Sequence, residues 1–167
     1  MFHEAPRGAL SEYSLINTDV CSKVPDNVKP DDAASLGSSG PAAMAIADCI
    51  QTGDRVLIYG AGGGVGSLVC QLARLNGAAY VVGVSLDSER LLNEPLSVDR
   101  AIDYTKEDVH SMTEFQESKF DLIIDLASGG WIELLKHAKA RDEPVVKSAA
   151  EGGRYVTLTP DNPTFEA

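Results

Sequence analysis

The sequence predicts an α/β fold in which a doubly wound parallel sheet carries helices on both faces. Short apolar runs alternate along the chain with segments whose apolar side chains recur at helical spacing. A glycine-rich turn follows the first strand-like run, and the pair Gly152 and Gly153 precedes the last. Strands that alternate with helices are typical of a parallel sheet with crossover connections.

The composition limits the classes of partner. The chain has 167 residues, which fits one domain with a substantial core, and its formal net charge is -11. The negative charge argues against binding to nucleic acid or to an anionic membrane surface. No apolar run approaches the roughly 18 residues of a membrane-spanning helix, so we expect no transmembrane segment.

The first elements are predicted from alternation and from helix-start residues. Residues 8–30 are expected to form short strand material and then a proline-rich linker, because apolar and polar residues alternate at the start of this segment. Asp31 and Asp32 favour the N-terminus of a short helix. Pro41 favours the first turn of a second, longer helix, which should end near Ile50.

The rest of the chain is expected to form five strands with crossover helices. The strands are residues 55–59, 80–84, 100–103, 120–126 and 154–158. The helices are residues 64–76, 88–93 and 131–140. The first of these helices places Val65, Leu68 and Leu72 on one face. The expected strand order is 3-2-1-4-5, as in doubly wound sheets.

The glycine-rich turn "GAGGGVG" predicts a dinucleotide site. Ala61, Gly63 and Gly66 occupy the three spaced positions of the dinucleotide fingerprint, between a predicted strand and a predicted helix. A side chain at Gly63 would block the approach of a pyrophosphate, and one at Gly66 would block helix–strand packing. A helix that starts near Gly64 directs free amides and a positive dipole end at the phosphates. A turn that only allows close packing is the alternative interpretation.

The end of the second predicted strand favours NADP(H). NAD-binding domains usually have Asp or Glu about 20 residues after the fingerprint, where it binds the ribose 2′-hydroxyl. Ser85 stands there, and serine does not repel a 2′-phosphate, which Arg90 is close enough in sequence to bind. Two separate alternatives stay open. Asp87 would favour NAD if the strand ran two residues longer, and Arg90 could be a solvated surface charge that binds no phosphate.

No catalytic or metal-binding residue is predicted. His3, His110 and His137 lack partners at ligand spacing, and the three cysteines fit no zinc pattern. Asp121 and Asp125 are interpreted as strand-end charges rather than as an acid–base pair. Hydride transfer needs neither a nucleophile nor a general base, because the cofactor carries the chemistry. The cysteine count favours buried thiols in an intracellular reducing compartment, with cytoplasm, mitochondrion and plastid not distinguished.

Four segments resemble the medium-chain dehydrogenase/reductase superfamily, and within it the zinc-free quinone oxidoreductase branch close to the reticulon-interacting-protein-like members. They are "GDRVLIYGAGGGVG", "AIDYTKEDV", "FDLIIDLASGG" and "GGRYVTLTP". The resemblance implies a Rossmann-type domain at residues 31–167, without its C-terminal strand, and a remnant of a GroES-like domain at residues 1–30. It also implies NADP(H) as the cofactor, no zinc, and hydride transfer from NADPH to a quinone or enone.

The resemblance further implies roles for individual residues. Those expected around the adenosine 2′-phosphate are Ser85, Arg90 and Tyr104. Those expected near the pyrophosphate are Gly63, Gly64 and Val65. Those expected towards the nicotinamide are Leu126, Leu158 and Thr159.

The chain also departs from the family pattern. Only the tail of the GroES-like domain is recognisable, and Pro41, Ala42 and Ala43 replace the family's "LTA", whose threonine lies near the nicotinamide. These departures keep a second hypothesis open, in which the chain is a non-catalytic structural or interaction subunit of a larger assembly. On either hypothesis we expect the 167-residue chain to be inactive by itself.

A protein partner is expected for the last predicted strand or for the first residues. That strand would leave an unpaired edge beside apolar side chains, and such edges recruit further strands. The two prolines of "TPDNPTFEA" cannot donate to a ladder. We therefore expect a homodimer or a larger complex that forms through residues 154–167 or 1–30.

Overall fold

The structure is a computed structural model that describes residues 12–13, 15–127 and 144–158. The chain divides into two compact units, Met1–Ser35 and Leu36–Ala167. Within the described ranges, no helix has both the length and the apolar character needed to cross a membrane. The helix predicted over residues 131–140 lies outside these ranges, as does Thr159.

Helices and strands alternate along the described chain. The helices are α1 (Pro30–Ala47), α2 (Gly64–Leu75), α3 (Ser88–Leu91) and α4 (Thr113–Glu117). The strands are β1 (Arg55–Tyr59), β2 (Tyr80–Val84), β3 (Arg100–Ile102), β4 (Leu122–Asp125) and β5 (Arg154–Thr157). Short 3-10 turns occupy Thr18–Val20, Val109–Ser111 and Ala149–Glu151. All five predicted strands are present, and β3, β4 and β5 are shorter than predicted.

The strands form one parallel sheet in the order β3-β2-β1-β4-β5. This confirms the predicted α/β class and the predicted order. The last residues of neighbouring strands are paired: Tyr59 lies beside both Val84 and Asp125, and Val84 lies beside Ile102. All the strands therefore end at one edge of the sheet, which is where ligands bind in folds of this class.

Both faces of the sheet are covered, which explains why the strands are apolar at nearly every position. Val56 and Ile58 belong to a buried cluster with α1 and α2, whereas Leu57 belongs to a second cluster with α4. In that second cluster the rings of Phe115 and Phe120 lie 4.9 Å apart, centroid to centroid. The two clusters fix the position of β1 and hence of the turn that follows it.

Helix α1 is continuous where two helices were predicted. Pro41 lies inside it rather than at the start of a second helix. Proline disfavours a helical conformation in the residue before it, partly through a clash with that residue's Cβ. The preceding residue is Gly40, which has no Cβ, and this relieves the clash. The prediction from Pro41 was wrong because it did not consider its neighbour.

The short strand predicted before residue 30 is absent from the described residues 15–29. The regular element there is the 3-10 turn Thr18–Val20, capped by Asn17, whose side chain accepts the amide of Asp19 at 3.0 Å. Apolar and polar residues alternate in this segment, but a strand also needs a neighbouring strand with which to form a ladder. Alternation alone was therefore an insufficient basis for the prediction.

Candidate functional site

The residues that follow four of the strands lie along the carboxyl edge of the sheet. They are Gly60, Ser85, Leu126 and Leu158, after β1, β2, β4 and β5 in that order. Three of them were predicted from the sequence as cofactor-binding residues. The structure thus brings Ser85, Leu126 and Leu158 to the same edge of the sheet.

The turn between β1 and α2 is fixed to both strands that flank β1. The amides of Gly60 and Ala61 donate to the carbonyl of Val84, each at 3.1 Å. Gly60 has a φ of +74°, and a Cβ on it would lie 3.1 Å from the carbonyl carbon of Leu126. This position therefore requires glycine, both for its left-handed backbone and for its approach to the chain after β4.

The start of α2 presents backbone donors without acceptors. Helix α2 begins at Gly64 with Gly63 as its N-cap, and no side chain caps it. Among the described residues, nothing accepts a hydrogen bond from the amides of Gly62, Gly64, Val65 or Gly66. Free amides at the positive end of a helix dipole form a ready site for an anion. A phosphate is the ligand chemistry that this arrangement fits.

Gly63 and Gly66 differ in whether the surrounding protein would leave room for a side chain. A Cβ on Gly66 would lie 2.8 Å from the Cα of Ala61 and closer still to the carbonyl oxygen of Gly60, so packing within the protein excludes it. A Cβ on Gly63 would meet only the Gly60 carbonyl, at 3.3 Å, and Gly63 is exposed with an ordinary φ of -76°. The protein's own packing therefore does not explain the glycine at residue 63.

Ala61 and Gly62 differ in role from what the fingerprint suggests. Ala61 is fully buried and its amide is already bonded to Val84, so this residue packs in the core and offers no free donor. A Cβ on Gly83 would lie 3.1 Å from the Ala61 methyl, which shows how closely the turn approaches β2. Gly62 has a free amide that the sequence analysis did not select, although it stands between two fingerprint positions.

Ser85 lies against the glycine-rich turn. Its amide donates to the carbonyl of Ile102 at 3.0 Å, which fixes its backbone to the end of β3. Its hydroxyl occupies the position that a Cβ on Gly62 would need. The carboxyl end of β2 therefore meets the turn directly, and a hydroxyl rather than a carboxylate is found at that point.

The predicted 2′-phosphate residues beyond Ser85 are exposed. Arg90 lies on α3, which packs against β2 and β3, and its guanidinium has no partner among the described residues. Tyr104 follows β3 and is 61% exposed. Asp87, the residue that would favour NAD, is exposed at the N-cap position of α3 and makes no capping hydrogen bond.

A buried carboxylate shapes the loop that carries Tyr104. Asp103 accepts hydrogen bonds from the Lys106 ammonium at 2.8 Å, from the Thr105 hydroxyl at 2.6 Å and from the Thr105 amide at 3.0 Å. These bonds, with Lys106 the largest cause, lower the pKa of Asp103 to about 2. Asp103 is therefore ionised at neutral pH and pairs with Lys106, a cation of the same loop that the sequence analysis missed.

A second buried carboxylate orders the chain after β4. Asp125 accepts the amide of Ala127 at 3.0 Å and the hydroxyl of Tyr155 at 2.8 Å. Burial, followed by the bond to Asp125, raises the pKa of Tyr155, and burial likewise raises that of Tyr59. Both phenols therefore stay protonated at neutral pH. The bond from the Ala127 amide to Asp125 fixes the chain after β4, where the Leu126 backbone approaches Gly60 of the glycine-rich turn.

Asp121 and Asp125 do not form a pair. Asp121 precedes β4, where it accepts the Arg55 amide at 2.9 Å and pairs with Lys147, whereas Asp125 ends the strand. The interpretation of these residues as strand-end charges fits this arrangement. Within the described ranges, no group of three His, Cys, Asp or Glu residues could hold a metal ion.

The chain is similar to three curated reductases. A 2-methylene-furan-3-one reductase of Solanum lycopersicum is 33% identical over 91% of this chain and 36% of its own length. A chloroplastic NADPH-dependent alkenal/one oxidoreductase of Arabidopsis thaliana is 33% identical over 93% of this chain and 38% of its own length. The mitochondrial NAD(P)H oxidoreductase RTN4IP1 of Danio rerio is 34% identical over 74% of this chain and 33% of its own length. The chain therefore spans little more than a third of these relatives.

Solved structures share the fold. An alcohol dehydrogenase of Thermotoga maritima has a TM-score of 0.64 at 22% identity, over 86% of this chain and 40% of that one. A quinone oxidoreductase of Pseudomonas syringae has a TM-score of 0.60 at 22% identity, over 83% and 49%. The curated relatives, at 33–34% identity, show that the chain belongs to the medium-chain dehydrogenase/reductase superfamily. Its curated relatives fit the quinone-oxidoreductase-like part of that superfamily, which confirms the resemblance, although no protein-family model matches the chain.

Two glycine substitutions should separate packing from ligand binding. Gly66→Ala should lower the free energy of unfolding by about 2 kcal/mol, because its methyl overlaps the backbone of the turn. Helix propensity alone would predict a gain of about 0.5–1 kcal/mol for the same change. Gly63→Ala should cost less than about 1 kcal/mol, because only one carbonyl must shift. Urea unfolding followed by far-ultraviolet circular dichroism measures both, and a Gly66→Ala variant as stable as the wild type would contradict this account.

Proposed function

We propose that the chain is the NADP(H)-binding domain of a quinone-oxidoreductase-like medium-chain reductase. The observation that carries this proposal is the set of free amides at Gly62, Gly64, Val65 and Gly66, at the carboxyl edge of a parallel sheet. One relative is named a 2-methylene-furan-3-one reductase, and another is named an NADPH-dependent alkenal/one oxidoreductase. Bound NADPH would supply a hydride, and the acceptor would be an enone or a quinone.

The amides at the start of α2 would hold the pyrophosphate. Gly63 would let it approach, because the exposed surface there carries no side chain. Two groups would bind the 2′-phosphate: the hydroxyl of Ser85, directly after β2, and the guanidinium of Arg90, on α3. Tyr104 would contact the adenosine beside them. Ser85 supports NADP(H) over NAD because it stands against the turn, where a carboxylate would repel the phosphate.

The nicotinamide would lie towards the chain after β4 and β5. Leu126 is half-buried and Leu158 is 46% exposed, so both offer apolar surface at the same edge. Asp125 would act through Leu126, because it holds the Ala127 amide and so positions the loop. Thr159 keeps its proposed place near the nicotinamide, and it lies outside the described residues. None of these residues is proposed to exchange a proton with the substrate.

The remaining predictions stay proposals. The assignment of residues 1–30 to a GroES-like remnant and of residues 31–167 to the nucleotide-binding domain is one of them. A protein partner at residues 154–167 or 1–30 is another, supported by the exposure of Tyr13, Leu15 and Ile16. The absence of zinc from the site and an intracellular reducing compartment are the two other predictions that stay proposals. Two relatives carry names that place those proteins in chloroplast and mitochondrion.

Nucleotide binding is tested by titration calorimetry with NADPH. The wild-type chain should bind NADPH, and Gly63→Ala should weaken binding at least about tenfold while the free energy of unfolding falls by less than about 1 kcal/mol, because its methyl stands where the phosphate approaches. Gly37→Ala is the matched control, since a Cβ on Gly37 would have no neighbour within 4 Å. Unchanged affinity in Gly63→Ala, or absence of binding by the folded wild type, would refute the proposal.

The cofactor preference is tested with NADH as the second ligand. The wild type should prefer NADPH, and Arg90→Ala should reduce that preference about tenfold, because one charge-assisted hydrogen bond to the 2′-phosphate is lost. NADH affinity should stay unchanged in this variant. Asp87→Asn is the comparison: if the wild type prefers NADH and this variant loses the preference, Asp87 is the selective residue and Arg90 is not.

A further inference from the structure

A second hydroxyl, that of Ser39, lies close to the glycine-rich turn, near Gly64 rather than near Gly62, where Ser85 lies. Ser39 is a half-buried residue of α1, and its Oγ lies 2.9 Å from the position that a Cβ on Gly64 would occupy. Gly64 is the first residue of α2. The hydroxyl therefore stands beside the helix end whose amides have no acceptor among the described residues.

The hydrogen bonding of Ser39 differs from that of two other helical serines, Ser35 and Ser67. Serine in a helix commonly donates to a carbonyl three or four residues earlier. Ser35 does so, with its Oγ 2.7 Å from the carbonyl oxygen of Asp32, and Ser67 does so with Gly64 at 3.2 Å. The Ser39 hydroxyl has no such bond and no other partner among the described residues. Its donor is available at the turn.

Two hydroxyls therefore border the turn. Ser85, at the end of β2, occupies the space beside Gly62, and Ser39, on α1, occupies the space beside Gly64. Each serine hydroxyl lies close to the position that a Cβ on the neighbouring glycine would occupy. A phosphate oxygen bound to the amides of Gly64 and Val65 would lie next to the Ser39 hydroxyl, whereas the proposed 2′-phosphate residues lie at the end of β2 and on α3.

We propose that Ser39 is a further binding residue for the dinucleotide, whose hydroxyl donates a hydrogen bond to a pyrophosphate oxygen held at the start of α2. This inference rests on the proposed function and adds to it one residue that the fingerprint does not include. Hydroxyl donors to charged oxygens form short and comparatively strong bonds. Ser39 contributes to affinity for the 5′-pyrophosphate and is indifferent to the 2′-phosphate.

The test uses three ligands and two serine variants. The ligands are NADPH, ADP, which carries the pyrophosphate without a 2′-phosphate, and adenosine 2′-monophosphate, which carries only the 2′-phosphate. Ser39→Ala should weaken NADPH and ADP about tenfold and leave adenosine 2′-monophosphate within about twofold of the wild type. Ser38→Ala is the matched control, because Ser38 is exposed on the same helix, and it should change none of the three affinities. The melting temperatures of both variants should equal that of the wild type.

Each other outcome has a defined meaning. If the wild type binds NADPH and Ser39→Ala binds NADPH and ADP as tightly, the inference is wrong and the proposed function stands. If Ser39→Ala weakens all three ligands equally, or weakens them together with a lower melting temperature, the residue acts through the fold and the pyrophosphate contact is refuted. If the wild type binds neither NADPH nor ADP, the proposed function fails and the inference fails with it.

Discussion

Two hydrogen bonds to one carbonyl determine the shape of the site. The amides of Gly60 and Ala61 both donate to Val84, and the close approach of Gly60 to Leu126 fixes the turn on its other side. The turn is thereby joined to the ends of β2 and β4. These two amides are used within the protein, and the Gly63 amide donates to the Gly60 carbonyl at 3.0 Å, so the donors left for a ligand are the amide of Gly62 and those of the first three residues of α2. The positions of Ser85, Leu126 and the start of α2 all depend on this arrangement.

Because the chain is strongly acidic, its binding of an anionic ligand depends on short-range contacts. A net charge of -11 repels a phosphate at long range, although salt screens such fields beyond about 8–10 Å. The first turn of α2 contains no acidic residue, so the local field there comes from the free amides and the helix dipole. An acidic domain can therefore bind an anion, provided that its donors are already oriented before binding.

Much of the fold was predictable because each strand is a separate apolar run in the sequence, and turn residues mark the connections between strands and helices. The site was predictable only where local sequence determines it, as with Gly66, where the backbone of the preceding turn leaves no room for a Cβ. Ser39 was missed because its contact with Gly64 joins two helices that are far apart in sequence. Pro41 was misplaced because the effect of the residue before it was not considered. Gly62 was passed over because the fingerprint counts glycines and not free amides.

The most direct test of this account is a backbone amide spectrum recorded while NADPH is added. A two-dimensional nitrogen–proton correlation experiment reports each amide separately. The amides of Gly62, Gly64, Val65 and Gly66 should show the largest shifts, because they gain an acceptor. The amides of Gly60 and Ala61 should shift less, because both are already bonded to Val84. Saturable shifts confined to other parts of the chain, or larger shifts at Gly60 and Ala61 than at the start of α2, would contradict the account.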